Sequence, residues 1–212
     1  MREIARELDL SPGNVSYHFA TKEALVAALI EEGHADNEAL VATPSEALDF
    51  ARVDQIIRTI MRRDLENPWL MRDCVGLLTA LPSLRPLHLR WHREREARVD
   101  GIVARLIAAG ALEQERTMRA LPQLRQQLLT QVFFWLPAAI LAAPDRDPAD
   151  ALDDHARSAL ALFSAYCTPA GRRKLEALLE TDSVPAPARR IGRVADRRRS
   201  SVKRRRARST RS

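Results

Sequence analysis

Apolar positions recur along most of the chain at intervals of three and four residues, and the runs are separated by breaks at Pro, Gly and Asn. REIAREL at 2–8 places Ile4, Ala5 and Leu8 on one helical face. SPGNVSYHF at 11–19 follows after the break Asp9-Leu10, with Val15 and Phe19 one turn apart and facing Ile4 and Leu8. Thr21 is an N-cap for a long amphipathic helix towards Val41, and Thr43-Pro44 restarts the chain. SEALDFARVDQIIRTIMRRDLE then carries Leu48, Ala51, Ile56, Ile60 and Leu65 at approximate helical spacing up to Asn67-Pro68.

A shorter helix is predicted from Trp69 to Leu78, and Leu81-Pro82-Ser83 ends it. The next helix is long and stops at Gly110, with Leu87, Trp91, Val99, Val103 and Leu106 on its apolar face. Further helices are predicted at 121–143 and 148–167, and a last short one from Pro169 through Leu179. No alternation of strand type and no internal repeat occurs. The pattern predicts an all-α protein.

Composition agrees with that reading. Ala, Leu, Arg and Glu dominate, aromatics make up 5% and there are 7 glycines. Charge changes the picture more. Residues 189–212 hold 11 Arg, 1 Lys and 1 Asp, which leaves the first 188 residues with 22 basic against 27 acidic groups. The pI of about 10.1 therefore belongs to the tail and the body is mildly acidic. From Thr181 onward the sequence predicts a disordered Arg-rich extension. It is open to two readings, a phosphate-binding arm and an inert or out-of-frame end.

Cys74 and Cys167 stand far apart without metal-type spacing and read as two buried thiols in a reducing cytoplasm. Glu3, Glu7 and Asp9 interrupt any apolar start. VFFWLPAAILAA at 132–143, the longest apolar run, is too short to span a bilayer. A soluble cytoplasmic protein with no membrane segment is expected.

The opening segment carries the chemistry. Ser11 is a good N-cap, and Pro12 at the first helical position loses no hydrogen bond. Gly13 weakens a helix by about 1 kcal/mol against Ala, yet it lets a phosphate approach the free N–H groups of a helix start. Asn14, Ser16, Tyr17 and His18 remain on the outer face, able to bond to bases or phosphates, and Lys22 begins the next helix with a positive charge. Spacing alone fits a DNA-reading helix-turn-helix and a capped helical hairpin equally well.

IARELDLSPGNVSYHFATKEAL also resembles the second and third helices, and the start of the fourth, of TetR-family transcriptional repressors. The family pattern is roughly I-A-x-x-A-G-V-S-x-G-x-x-Y-x-x-F-x-x-K-x-x-L, and Ile4, Ala5, Ser11, Gly13, Phe19, Lys22 and Leu25 match it. The resemblance implies an operator-binding surface of Ser11, Pro12, Gly13, Asn14, Ser16, Tyr17, His18 and Lys22. Within it Tyr17 and Lys22 touch phosphates, while Asn14, Ser16 and His18 face the groove. It further implies a homodimer formed by the last two long helices, and a small-molecule effector inside the C-terminal domain. The expected division is a partial helix-turn-helix domain at 1–40, a helical ligand-binding and dimerisation domain at 41–180, and the tail at 181–212.

Three positions depart from the pattern. Asp9 stands where the family has Gly, and Asp tolerates the left-handed backbone better than most residues. Ser16 replaces an aromatic. The family's first helix has no counterpart, since Met1 falls just before the second. The expectation that follows is a start codon assigned too late, with residues 1–19 loosely held and specific DNA affinity poor. The alternative function is then a dimeric small-molecule-binding module with impaired DNA binding.

Other candidates compete with plainer roles. Met71, Trp91, Phe133, Phe134 and Trp135 fit the lining of an apolar ligand cavity, and equally a core or dimer interface. His88, His92 and Glu96 share a helix face with metal-like spacing, but a solvated face rich in Arg and Glu accounts for them and no metal is expected. His34 and His155 lack partners and read as surface residues. No phosphate loop, nucleophile elbow or carboxylate pair stands out, so neither an enzyme nor a cofactor is expected.

Overall fold

The computed structural model describes residues 1–41 and 48–181, and among these it contains helices and no strand. The helices are α1 (Arg2–Glu7), α2 (Pro12–His18), α3 (Lys22–Val41), α4 (Phe50–Glu66), α5 (Pro68–Arg72) and α6 (Cys74–Ala80). They continue as α7 (Arg85–Ala108), α8 (Gln114–Phe133), α9 (Trp135–Ala142), α10 (Leu152–Ala161) and α11 (Pro169–Thr181). Short 3-10 turns at Pro82–Leu84, Pro148–Ala151 and Leu162–Tyr166 link several of them. The Thr43-Pro44 restart and the tail after Thr181 lie outside the described residues.

Capping follows the local sequence. Ser11 Oγ accepts from the Asn14 amide at 3.1 Å, Thr21 Oγ1 from Ala24 at 3.1 Å, and Asp49 from Arg52 at 2.9 Å. At the end of α7, Gly110 takes φ +69, and the Ala111 amide reaches back to the Leu106 carbonyl at 2.9 Å. Thr168 then locks this corner to α11 by donating from Oγ1 to the Gly110 carbonyl at 2.8 Å.

The core is one cluster at the meeting of α4, α7, α8, α9, α10 and α11. Met61, Val103, Leu106, Leu124, Leu136, Leu160, Phe163 and Leu175 are essentially sealed from solvent. On α4 the buried stripe is Phe50, Val53, Ile56, Ile57 and Met61, whereas Ala51 is exposed. Buried on that stripe as well is Arg58, which bonds Asp54 one turn earlier at 2.6 Å and Asp153 on α10. Arg125 of α8 similarly holds Asp100 and Glu96 of α7, at 2.7 and 3.4 Å.

Several predicted boundaries shift. The helix expected at 69–78 is two, divided at Asp73. The helix expected at 121–143 begins earlier, at Gln114, and continues through Pro122, so that proline is interior and not a start. It then breaks at Phe134. Pro137 lacks an N–H and its ring crowds the Phe133 carbonyl one turn back, which ends α8 and turns the chain into α9. The predicted 148–167 helix keeps α geometry only from Leu152 to Ala161, with 3-10 turns on either side. The last helix reaches Thr181, two residues beyond Leu179.

Candidate functional site

At the N-terminal end, α1 and α2 pack against each other around Ala5 and Val15, both buried, with Ile4 and Phe19 half-buried beside them. Leu8 departs from its expected inward position and is 61% exposed, as is Leu10 at 43%. The turn between the two helices is carried by Asp9 at φ +58, the left-handed conformation for which the family pattern has glycine.

All eight residues singled out here, Ser11, Pro12, Gly13, Asn14, Ser16, Tyr17, His18 and Lys22, are exposed. Val15 alone among the residues of α2 is buried, so the helix is open to solvent around most of its circumference. Tyr17 is 85% exposed, and its ring meets the edge of His18 at 5.2 Å. A Cβ on Gly13 would meet only Ser11 Oγ, at 3.9 Å, so the backbone at the start of α2 is open to close approach.

A second site lies deeper. A cavity of about 460 Å³, partly open to solvent, is lined by α4, α5, α6, α7, α8 and the middle of α3. α7 contributes His88, Trp91, Arg95, Arg98, Val99 and Ile102, a face that repeats at three and four residues. Opposite stand Val53, Ile56, Ile57, Ile60, Arg63 and Asp64 of α4. Leu128, Val132 and Phe133 close one side, Trp69, Met71 and Cys74 another, and Leu29 and Ile30 of α3 the end towards α2.

Of the five proposed cavity residues, Met71, Trp91 and Phe133 line it, and Phe134 and Trp135 do not. The break at Phe134 explains both exclusions. It turns Phe134 outward, 41% exposed, and sends Trp135 into the core at 1% exposure. There the Trp135 indole Nε1 donates to Asp64 Oδ2 at 2.7 Å and its ring lies 5.9 Å from His155. His155 is therefore a half-buried packing partner and not a bare surface residue. Side chains at 33–41, including His34, lie outside the described set. Cys74 is a half-buried cavity residue, unlike the buried Cys167, and both thiols are free.

Burial sets the electrostatics of this cavity. It raises the Asp64 carboxyl to about 7 against the opposing pull of the Trp135 bond, and it lowers Arg95 and Arg98. His88 is lowered by burial and then by the charges of Arg95 and His92. The Arg95 guanidinium lies 5.1 Å from the Phe133 ring centre. Asp64, Arg95 and Arg98 escaped sequence reading, because isolated charges among many Arg and Glu give no local signal. The helical register of Arg95 and Arg98 with Trp91 was the available clue.

The His88, His92 and Glu96 face carries other contacts. The rings of His88 and His92 stack at 6.4 Å, His92 Nε2 stands 3.9 Å from Glu96, and Glu96 is shared with Arg125. Among the described residues no group of three or more His, Cys, Asp or Glu stands close enough to hold a metal ion. Among them also, no helix is long and apolar enough to cross a membrane.

Comparison with known proteins gives concordant results. Residues 1–29 match a family model described as bacterial regulatory proteins, tetR family, and residues 34–175 match a TetR model described as bacterial transcriptional repressor. Among solved structures, the chain is similar to a TetR-family transcriptional regulator from Marinobacter aquaeolei VT8. The TM-score is 0.70 at 22% identity, over 84% of this chain and 86% of that one. A comparison with curated proteins returned no match.

Proposed function

The chain belongs to the TetR family of bacterial transcriptional regulators, and we propose that it is a ligand-responsive repressor that grips an operator through α2 and Lys22. One observation carries this reading. The single helix α3 holds Lys22 at the edge of the exposed polar face, and it places Leu29 and Ile30 in the wall of the cavity. A ligand that pushes this wall moves the first turn of α3, and Lys22 with it. Such a coupling needs only a differential affinity of the ligand for two settings of one rigid element.

In this reading Asn14, Ser16 and His18 face base edges in the major groove. Tyr17 and Lys22 contact phosphates, and Ser11, Pro12 and Gly13 form the close-approach end of α2. The protein acts as a cytoplasmic homodimer. Exposed apolar side chains on α8, at the break after it and on α9, Met118 at 51%, Phe134 at 41% and Leu141 at 83%, favour a partner surface there. α10 buries Leu152, Ala156, Ala159 and Leu160 within its own core, so its share of that surface is smaller than the sequence suggested.

The test is duplex selection from a random library, followed by anisotropy titrations of the selected and a scrambled duplex. Asn14→Ala and His18→Ala should change base preference, whereas Lys22→Ala should weaken both duplexes alike and reduce the salt slope by about one. Equal losses on both duplexes for all three changes would remove the recognition role. Effector binding without any duplex selection would favour a dimeric ligand-binding module instead.

A further inference from the structure

The cavity wall is not evenly polar. Apolar side chains from every surrounding helix form most of it, and the charged groups come from α4, α7 and the exposed Glu32 and Glu66 at its margins. Two of the charged groups, Asp64 and Arg95, face the same problem of lost water and can solve it in different ways. Asp64 takes up a proton, which its raised pKa makes easy near neutrality, and it accepts from the Trp135 indole. Arg95 has no such escape, because a guanidinium keeps its charge at any working pH.

The acidic charge that acts on Arg95 is that of its neighbour Glu94, and it is too weak to offset burial, so the guanidinium stays destabilised. Glu94 is shared with Arg90, from which it stands 3.8 Å, and the other acidic groups of α7, Glu96 and Asp100, are held by Arg125. No hydrogen bond or ion pair joins Arg95 to a described residue, and its ring contact is with the face of Phe133. Burial opposes its charge, and Arg98 one turn further on the same wall is affected in the same direction. A half-buried cation in a mostly apolar cavity is stabilised most by an anion brought in from outside.

We propose that the cavity binds a small amphipathic anion, an apolar body bearing one carboxylate, anchored by the Arg95 guanidinium beside Arg98. A carboxylate is the head group whose two oxygens match the guanidinium fork. The volume, about 460 Å³, suits one small organic molecule, and the Leu, Ile, Val and aromatic wall suits a hydrocarbon or aryl body. His88, on the same face and kept neutral by its surroundings, offers the head group a further hydrogen-bond partner without a competing charge. This inference rests on the reading of the cavity as the effector site.

The experiment is calorimetric titration of the full chain with three probes of equal length, decanoate, decan-1-ol and decylammonium, repeated on Arg95→Gln and Arg95→Lys. Decanoate should bind tightest. Arg95→Gln should weaken decanoate by about 10- to 100-fold, as loss of a charge-assisted bond does, and leave decan-1-ol unchanged. Arg95→Lys should recover part of the loss. Unchanged decan-1-ol binding also certifies that the variant cavity is intact. Equal or tighter binding of decan-1-ol or decylammonium to the wild type would overturn the anion inference and leave the effector cavity standing. So would decanoate binding indifferent to Arg95→Gln. Failure of all three probes to bind would overturn the cavity reading itself, and this inference with it.

Discussion

The Trp135 indole donates to the Asp64 carboxylate at 2.7 Å, which ties α9 to α4 across 71 positions of sequence. Both groups need the bond. Trp135 is 1% exposed, so its N–H has no water to turn to, and burial holds the Asp64 carboxyl near pKa 7, above its ordinary 3.8. Between those two values the folded state binds more protons than the unfolded one. Stability from this group is therefore greatest at low pH and is lost as pH rises through about 7. Each pKa unit is worth about 1.4 kcal/mol, trimmed by the solvent that reaches the cavity, so the loss should be about 2–3 kcal/mol. Asp64→Asn keeps an acceptor for the indole but cannot ionise. Its melting temperature should match the wild type in acid and exceed it at pH 8. Parallel pH profiles for the two proteins would refute the assignment.

Arg58 gives a second, sharper case. Its side chain and that of Asp54 are about 10% exposed, while Asp153, its other partner, is 58% exposed. Arg58→Ala leaves the Asp54 carboxylate buried and unpaired and should destabilise by about 3–5 kcal/mol in denaturant titration. Asp153→Asn removes only an exposed partner and should stay under about 1 kcal/mol. Similar losses for the two would mean that the α4–α10 contact, and not the buried charge, sets the cost.

These pairs mark the boundary of what the chain made legible. Period and capping foretold α1 to α4 and α7, because Ser11, Thr21 and Gly110 act locally and their signals sit beside the elements they end. The motif on α2 was readable for the same reason, since helical spacing alone turns Val15 inward and its neighbours out. The cavity was half readable. Met71, Trp91 and Phe133 line it, but Phe134 and Trp135 leave it because Pro137 breaks a helix whose apolar pattern runs on unbroken. Asp64 and Arg95 were invisible, since their meaning lies in partners brought or withheld by distant helices.

Two glycines separate packing from propensity. A Cβ on Gly171 would stand 2.0 Å from the Ala111 carbonyl oxygen and 2.8 Å from its carbon, so backbone would have to move. Gly101, inside α7, has nothing within 4 Å of the same position. Gly171→Ala should therefore destabilise by about 2 kcal/mol or more by loosening the clasp of α11 on the α7–α8 corner. Gly101→Ala should stabilise by about 0.5–1 kcal/mol, the helix preference of Ala over Gly. Thermal melts of both variants decide it, and a Gly171→Ala protein as stable as the wild type would sink the close-approach argument.

Asp9 links the fold to the proposed DNA surface. At φ +58 it is the one described non-glycine residue in the left-handed region, and it sets the angle between α1 and α2. The α1–α2 pair is short and rests on few buried side chains, chiefly Ala5 and Val15, so it has little stability to spare. For a β-branched residue that backbone is worse than for Asp by about 1–2 kcal/mol. Asp9→Val should lower amide protection across 12–19 in hydrogen exchange and weaken binding to selected and scrambled duplexes together, because the whole of α2 is displaced. Asp9→Gly reaches the same backbone without strain but widens the unfolded ensemble, so its stability should stay within about 0.5 kcal/mol of wild type. The melting transition of the core should not change in either variant, since Met61, Val103 and Leu160 are packed elsewhere. Full protection of 12–19 in Asp9→Val would show that the turn does not hold α2 in place.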